Sequence, residues 1–417
     1  MSRHERYQEV DSYWYDKIPF YWKKTKNKYV FNQDKHVVGK NWEQFTLLTM
    51  GKLGVKPRNI ERGGKFPESF ENYQTVKPDQ LIFCLFDLDE TPRTIGMSKD
   101  HGMITSAYDV FSTTCDNDPQ FWTYFYQMID DHKGLRPFYT GLRKVVRSDT
   151  FMGIEVFSPP LKEQKLISRY LDKKIVQVDS LIEKTQKKIK LLKEQRTSLI
   201  SQTVTNGADL NVDMKDSDIK WIGKIPKHWE ITKLKYESDL IVDGTHFTPN
   251  YTSSGVPFLR VKDITSNQIS FDQIKFISKV EHEQLIKRCK PQFGDLLLSK
   301  NGTIGKTKVV EWNWEFSIFV SLCLIRLKKS YSTKLLSLFF ESALFDTQIK
   351  DSSKQSAVTN LHLDKIRDFI LIKPPIEEQN RIVDHTYNLI RPVNQLISLE
   401  NQNIKTLKEY RLSLISS

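Results

Sequence analysis

Residues 299–310 read SKNGTIGKTKVV, and the stretch from Gly302 to Thr307 has the glycines and lysine of a phosphate-binding loop. A loop of the GxxxxGK[ST] class needs a glycine at position 300, where Lys300 stands, and a helix immediately afterwards. The following residues, KVVEWNWEF, are β-like and aromatic. Without the glycine and the helix, backbone N–H groups cannot wrap a phosphate chain against a helix N-terminus. SPPL at 158–161 and KPPI at 373–376 resemble the [ND]PP[YF] tetrad that grips an extruded adenine. They lack its first residue, which accepts from the exocyclic amine, and its stacking aromatic. No H-E-x-x-H or G-x-S-x-G is present, and Asp87 and Asp89 in FDLDE read as a strand end and turn. The residues that could do chemistry therefore point to binding rather than catalysis.

The net charge of +12 and pI of about 9.2 favour a polyanionic partner such as nucleic acid. Arg260 and Lys262, in PFLRVKDI, are expected on one face of a strand beside the turn DGTHFTPNY, which carries His246. Lys300, Asn301 and Lys306 surround the GTIG turn, and Lys354, Gln355 and Asn360 occupy a loop before a late strand. In the first half of the chain Lys52, Arg58, Arg62, Lys65, Arg93 and Arg143 fall in comparable turn-rich places. Arginine and lysine pair with phosphates or read guanine edges, while asparagine and glutamine read adenine edges. Taken singly, each is most often a solvated surface residue.

Something must position these side chains, and the chain is written twice. Ser158–Ser201 aligns with Lys373–Ser416 without a gap, with 19 of 44 positions identical. WYDKIPFYW at 14–22 likewise parallels WIGKIPKHW at 221–229. Each half is an opening motif, a diverged middle, a PPxxEQ segment and a long helix. Proline can only precede or open that helix, and Glu163 and Glu378 fall in first turns, where negative charge suits the dipole. A heptad follows, with Ile175, Val178, Ile182, Ile189, Leu192 and Leu199 forming the apolar seam of the first copy. Ile390, Val393, Ile397, Ile404, Leu407 and Leu414 form that of the second. Sustained apolar heptads are the seam of a coiled coil, and two such seams in one chain most simply pair with each other. Pro392 predicts a kink or restart in the second. The first helix carries 11 Lys/Arg against 5 Asp/Glu, a solvated face or a surface for an acidic partner.

The expected architecture is α+β, a pseudo-two-fold duplicated module. Two mixed α/β domains, 1–157 and 221–372, are joined by two long helices, 158–204 and 373–417, forming an antiparallel coiled coil, with a linker at 205–220. A helix of about 40 residues is about 60 Å long. Short β-rich runs such as QLIFCLFDL, DLLLSK and SLCLIRL alternate in the middles with helical stretches such as FWTYFYQMID and TKLLSLFFESALF. Thr94-Ile95-Gly96 faintly echoes Thr303-Ile304-Gly305. Cys84, Cys115, Cys289 and Cys323 have no CxxC spacing, which predicts free thiols. No long apolar run predicts a membrane span or signal core, so an intracellular, soluble chain is expected.

The doubled PPxxEQ helices, the W-x-x-K-I-P-x-x-W motifs and the KxGTIGK turn together resemble the specificity subunit of type I restriction-modification enzymes, across essentially the whole chain. The resemblance implies two target-recognition domains, each reading one half of a split double-stranded DNA sequence, with the helices fixing the gap. It implies docking of two methyltransferase subunits and of restriction (motor-nuclease) subunits around one copy of this chain in the cytoplasm. No catalysis or cofactor is implied here: S-adenosylmethionine, ATP and Mg would belong to the partners. The first domain holds TPRTIGMSKD where the second holds KNGTIGKTK, a departure from the family turn. The competing expectation is a stand-alone coiled-coil adaptor whose domains bind proteins.

Overall fold

Two proline pairs set where the long helices begin. Pro160 offers a carbonyl that accepts from the Glu163 and Gln164 N–H groups at 2.8 and 3.0 Å. Pro375 does the same for Glu378 and Gln379 at 2.9 and 3.0 Å. The helices that follow are Leu161–Asn206 and Ile376–Ser416 in this computed structural model, which describes residues 7–51, 54–58, 67–141, 144–209, 211–265, 269–352 and 360–416. Pro392 lies inside the second helix without ending it. The proline is exposed, while Ile390 and Val393 on either side of it are buried. Its lost hydrogen bond is thus left on the solvent side, where water can replace it.

The chain divides into two units, Met1–Lys184 with Asn403–Ser417, and Thr185–Gln402. In the second unit Lys188 Nζ meets Glu400 Oε1 at 2.6 Å, Arg196 Nε donates to Asn394 Oδ1 at 2.8 Å, and Thr386 Oγ1 donates to Thr203 Oγ1 at 2.8 Å. Partner numbers fall as the first numbers rise, so the helices run antiparallel. In the first unit Arg411 Nε donates to Asp179 Oδ1 at 2.9 Å, and Leu171 and Ile175 pack with Leu414 and Ile415. The two arginine contacts are one contact made twice, because the repeat aligns Arg196 with Arg411 and Asp179 with Asn394. Ile175, Val178, Ile189, Ile390 and Val393 are buried, and Ile182, Leu192, Leu199, Ile397, Ile404, Leu407 and Leu414 are half-buried.

Each module is built on a four-stranded antiparallel sheet of the same order. In the first it runs Phe31–Asp34, Asp109–Thr113, Leu81–Phe83, Ile95–Met97. In the second it runs Ser238–Asp243, Leu322–Leu327, Leu296–Ser299, Thr307–Val309. A helix packs on each: Pro119–Asp131, capped by the Asp118 side chain, and Thr333–Phe340, capped by the Ser332 hydroxyl. The first core is aromatic, around Phe31, Phe83, Phe111, Trp122, Tyr126 and Phe151, whereas the second is mainly leucine and isoleucine. The opening motifs form matching strand pairs, Tyr7–Glu9 with Lys17–Pro19 and Met214–Asp216 with Lys224–Pro226. The second pair places a strand inside the stretch expected to be linker.

The PPxxEQ residues fasten helix to module in both copies. Gln164 Oε1 accepts from the Asp118 N–H at 2.8 Å and its Nε2 donates to the Pro159 carbonyl at 2.9 Å. Gln379 Oε1 accepts from the Ser332 N–H at 2.7 Å and its Nε2 donates to the Pro374 carbonyl at 2.8 Å. Both glutamines are fully buried, so each binds the helix start to the cap of the module helix. The neighbouring glutamates take the opening motifs: Tyr21 Oη donates to Glu163 Oε1 at 3.0 Å, and Trp229 Nε1 donates to Glu378 Oε2 at 3.0 Å.

Candidate nucleic-acid interface

The GTIG turn joins the strands Leu296–Ser299 and Thr307–Val309. The Ser299 N–H reaches back to the Lys306 carbonyl at 2.8 Å, and the Ser299 hydroxyl accepts from the Lys306 N–H at 2.8 Å. Gly305 adopts φ +83°, and a Cβ there would stand 2.4 Å from Phe345 Cε1, so only glycine fits. No helix follows, which agrees with the exclusion of a nucleotide loop. In the first module the Cys84 N–H reaches the Thr94 carbonyl at 2.8 Å, making Cys84 the counterpart of Ser299 and Thr94 that of Lys306. The two hairpins are thus equivalent but their TIG triplets are not: Ile95-Gly96 lie in a strand, Ile304-Gly305 in the turn.

Lys300 corrects the expectation of a DNA-facing side chain. It is 4% exposed, and its ammonium sits 3.1 Å from Asp243 Oδ2. Asp243 closes the strand Ser238–Asp243 and is itself buried. It gathers two further side chains: Arg288, whose Nη2 donates to Oδ1, and His246, with Nε2 3.2 Å from Oδ2. Burial raises the Asp243 pKa, but the Lys300 and His246 contacts outweigh this and hold it below the usual carboxylate value. His246 and Arg288 stay largely exposed, so the cage presents a guanidinium and an imidazole at the surface around a buried anion. Sequence reasoning missed Arg288, and only the run KRCK marks the place.

Two more expected contacts are tied up by neighbours. Arg260 is not in a strand: it caps the short helix Val261–Ile264, and its Nε and Nη2 donate to Asp263 at 3.0 and 3.3 Å. The strand stops at Leu259 because Asp263 captures both the Arg260 backbone N–H and its guanidinium. Arg93, in the first module, lies 3.3 Å from Asp130 and 2.9 Å from Asp131, with its side chain 15% exposed. Both arginines have their charges neutralised locally.

The other residues are placed as follows. Lys262 and Lys306 are exposed, and Lys306 borders a cleft of about 930 Å³ that also meets Lys193, Arg196, Lys308 and Asn394. Burial lowers the Lys308 pKa from its usual value. Asn301 pairs by backbone with Asn360, and its buried Oδ1 has no partner among the described residues. Arg58 is exposed, and its N–H donates to the Leu47 carbonyl at 2.8 Å. Lys52, Arg62, Lys65, Arg143, Lys354 and Gln355 lie outside the described residues. The structure therefore brings together His246, Lys300, Asn301 and Asn360 through Asp243 and the backbone around the turn.

Asp89 behaves as a turn residue. It is paired with Lys144 at 3.0 Å and Arg136 at 3.1 Å, and Lys144, Arg136 and the Tyr139 hydroxyl hold its pKa down at about 2. Among the described residues no group of three or more His, Cys, Asp or Glu could hold a metal, and no helix is long and apolar enough to cross a membrane. All four cysteines are free; Cys84, Cys289 and Cys323 are buried and Cys115 is exposed.

One α+β module repeated, each copy fastened to an antiparallel long helix and carrying a hairpin turn of its own, defines a two-module scaffold. Residues 226–408 match the type I restriction modification DNA specificity domain. The chain is 25% identical over 270 residues to the Escherichia coli type I restriction enzyme EcoBI specificity subunit, covering 62% of this chain and 56% of that protein. It is 27% identical over 284 residues to the EcoKI specificity subunit of Escherichia coli (strain K12), covering 65% and 58%. The matches thus span little more than half the length of these curated relatives. A chain from a structural study of the type I R-M system, concerning complex assembly and conformational transition, superposes with a TM-score of 0.61. It is 16% identical, with 94% of this chain and 96% of that one covered, and shows the shared fold. Residues 226–408 thus match the type I restriction modification DNA specificity domain, and the chain is similar to type I restriction enzyme specificity subunits.

Proposed function

We propose that this chain is the DNA sequence-specificity subunit of a type I restriction-modification complex. Each module reads one half of a bipartite double-stranded target, and the paired long helices set the unread gap between halves. The observation that carries this reading is the contrast within the repeat. The glutamine fastenings and the sheet order are the same in both modules, while the hairpin turns and their charges differ. A constant frame holding two different hairpin turns suits two half-sites of different sequence.

The chain itself is non-catalytic in this reading. Two methyltransferase subunits supply S-adenosylmethionine chemistry, and restriction subunits supply ATP- and Mg-dependent work, around one copy of this chain in the cytoplasm. The relatives favour this over a protein-binding adaptor. Methylome sequencing of cells with and without the chain tests it: a bipartite motif should lose methylation when the chain is removed. An unchanged methylome, together with no salt-dependent binding to duplex DNA with or without partners, would restore the adaptor.

A further inference from the structure

What the modules share cannot distinguish one half-site from the other, so selectivity must sit where they differ. The Asp243 cage is one such place. Gln33 faces Phe111, which faces Leu81; Ile241 faces Ile325, which faces Leu296. By that register Lys35 stands where the second module has Asp243, and Leu85 stands where it has Lys300. The first module therefore has neither the buried carboxylate nor its buried lysine.

We propose that Arg288, aimed by Asp243, is the guanine-reading side chain of the second module, with Lys300 as the buried counter-charge of Asp243. The inference rests on the DNA-specificity reading given above. The Asp243 carboxylate accepts from Nη2, and the Gly244 carbonyl accepts from Nη1 at 3.4 Å. One side of the guanidinium is thereby fixed to the end of a strand while the side chain remains 54% exposed. A guanidinium held this way keeps further N–H donors for two parallel bonds, the pattern presented by guanine O6 and N7 in the major groove. Holding it in advance lowers the ordering cost of contact. Two cations, Lys300 and Arg288, surround one carboxylate, so the cage keeps an excess of positive charge toward a polyanion. His246 and Phe247 stand exposed on the adjoining loop. Asp243 is a positioning residue, acting through Arg288.

The test uses the full chain assembled with its methyltransferase subunits and reads the methylated motif base by base. Arg288→Ala should make one G·C position of the second half-site degenerate, with an about 10- to 100-fold loss of discrimination there and the first half-site unchanged. Asp243→Asn should loosen the same position, measured as the affinity ratio of matched to mismatched duplex rather than as affinity alone. Arg288 is exposed, so its variant should fold even if Asp243→Asn does not, and thermal melting of both checks this. Uniformly weaker binding with every base preference intact would make Arg288 a phosphate contact and overturn the proposal. Degeneracy at an A·T position would overturn the guanine assignment. If the unaltered complex methylates without sequence preference, the underlying reading falls and this one with it.

Discussion

Replacing Gln379 by alanine should unfasten the second long helix from its module. The side chain is fully buried and makes three hydrogen bonds: from the Ser332 N–H at 2.7 Å, to the Ser330 carbonyl at 3.0 Å and to the Pro374 carbonyl at 2.8 Å. Truncation leaves one buried donor and two buried acceptors without this partner. At about 1 kcal/mol or more for each, plus a small cavity, the loss is about 3–5 kcal/mol. That is a large part of the 5–15 kcal/mol typical of a domain. Gln379→Glu should be no better. The new carboxylate could still accept from Ser332, but it would face two carbonyls and bury a charge. Guanidinium denaturation of the full chain, followed by far-ultraviolet circular dichroism and tryptophan fluorescence, measures both. A loss below about 1 kcal/mol for Gln379→Ala, or a Gln379→Glu protein as stable as the parent, would refute the fastening role.

Gly305→Ala forces a Cβ at φ +83° to within 2.4 Å of Phe345, whereas Gly302 at φ +70° has open space around it. Thermal melting should therefore show Gly305→Ala costing more than the about 1 kcal/mol expected of Gly302→Ala. Lys300→Met should cost about 3 kcal/mol, toward the low end for a broken buried pair because Arg288 still faces Asp243. The depressed Asp243 pKa gives stability that is complete above the ordinary carboxylate value of about 4 and lost as pH falls through the lower folded value. Acid titration of Lys300→Met should accordingly show a weaker acid-dependent loss than the parent. In the helix seam, Ile390→Ala should cost about 2–5 kcal/mol by denaturation, against less than about 1 kcal/mol for Arg411→Ala, whose ion pair is partly exposed.

The helices were legible because a heptad is a local signal: Ile175 and Ile390 announce their burial by spacing alone. The duplication was legible for a similar reason, since PPxxEQ is written twice, and the pairing of the two seams followed from it. The partners of Glu163 and Gln379 were not legible, because Tyr21 and Ser332 are joined to them only by the fold. Lys300 looked like a surface lysine, since its counter-ion Asp243 lies on a different strand. Arg93 was hidden likewise by Asp130, Arg260 by a local cap from Asp263 three residues on, and the TIG echo misled because three letters recurred without the same hydrogen-bond register. Charged residues carry no period, so their burial is decided by tertiary neighbours.

On the proposed function, each module reads its own half of a split DNA sequence. Exchanging residues 23–157 for the corresponding domain of a type I restriction enzyme specificity subunit and sequencing the methylated motif tests it. The expected motif is altered in one half, with the other half and the spacer length unchanged. A motif altered in both halves would contradict it.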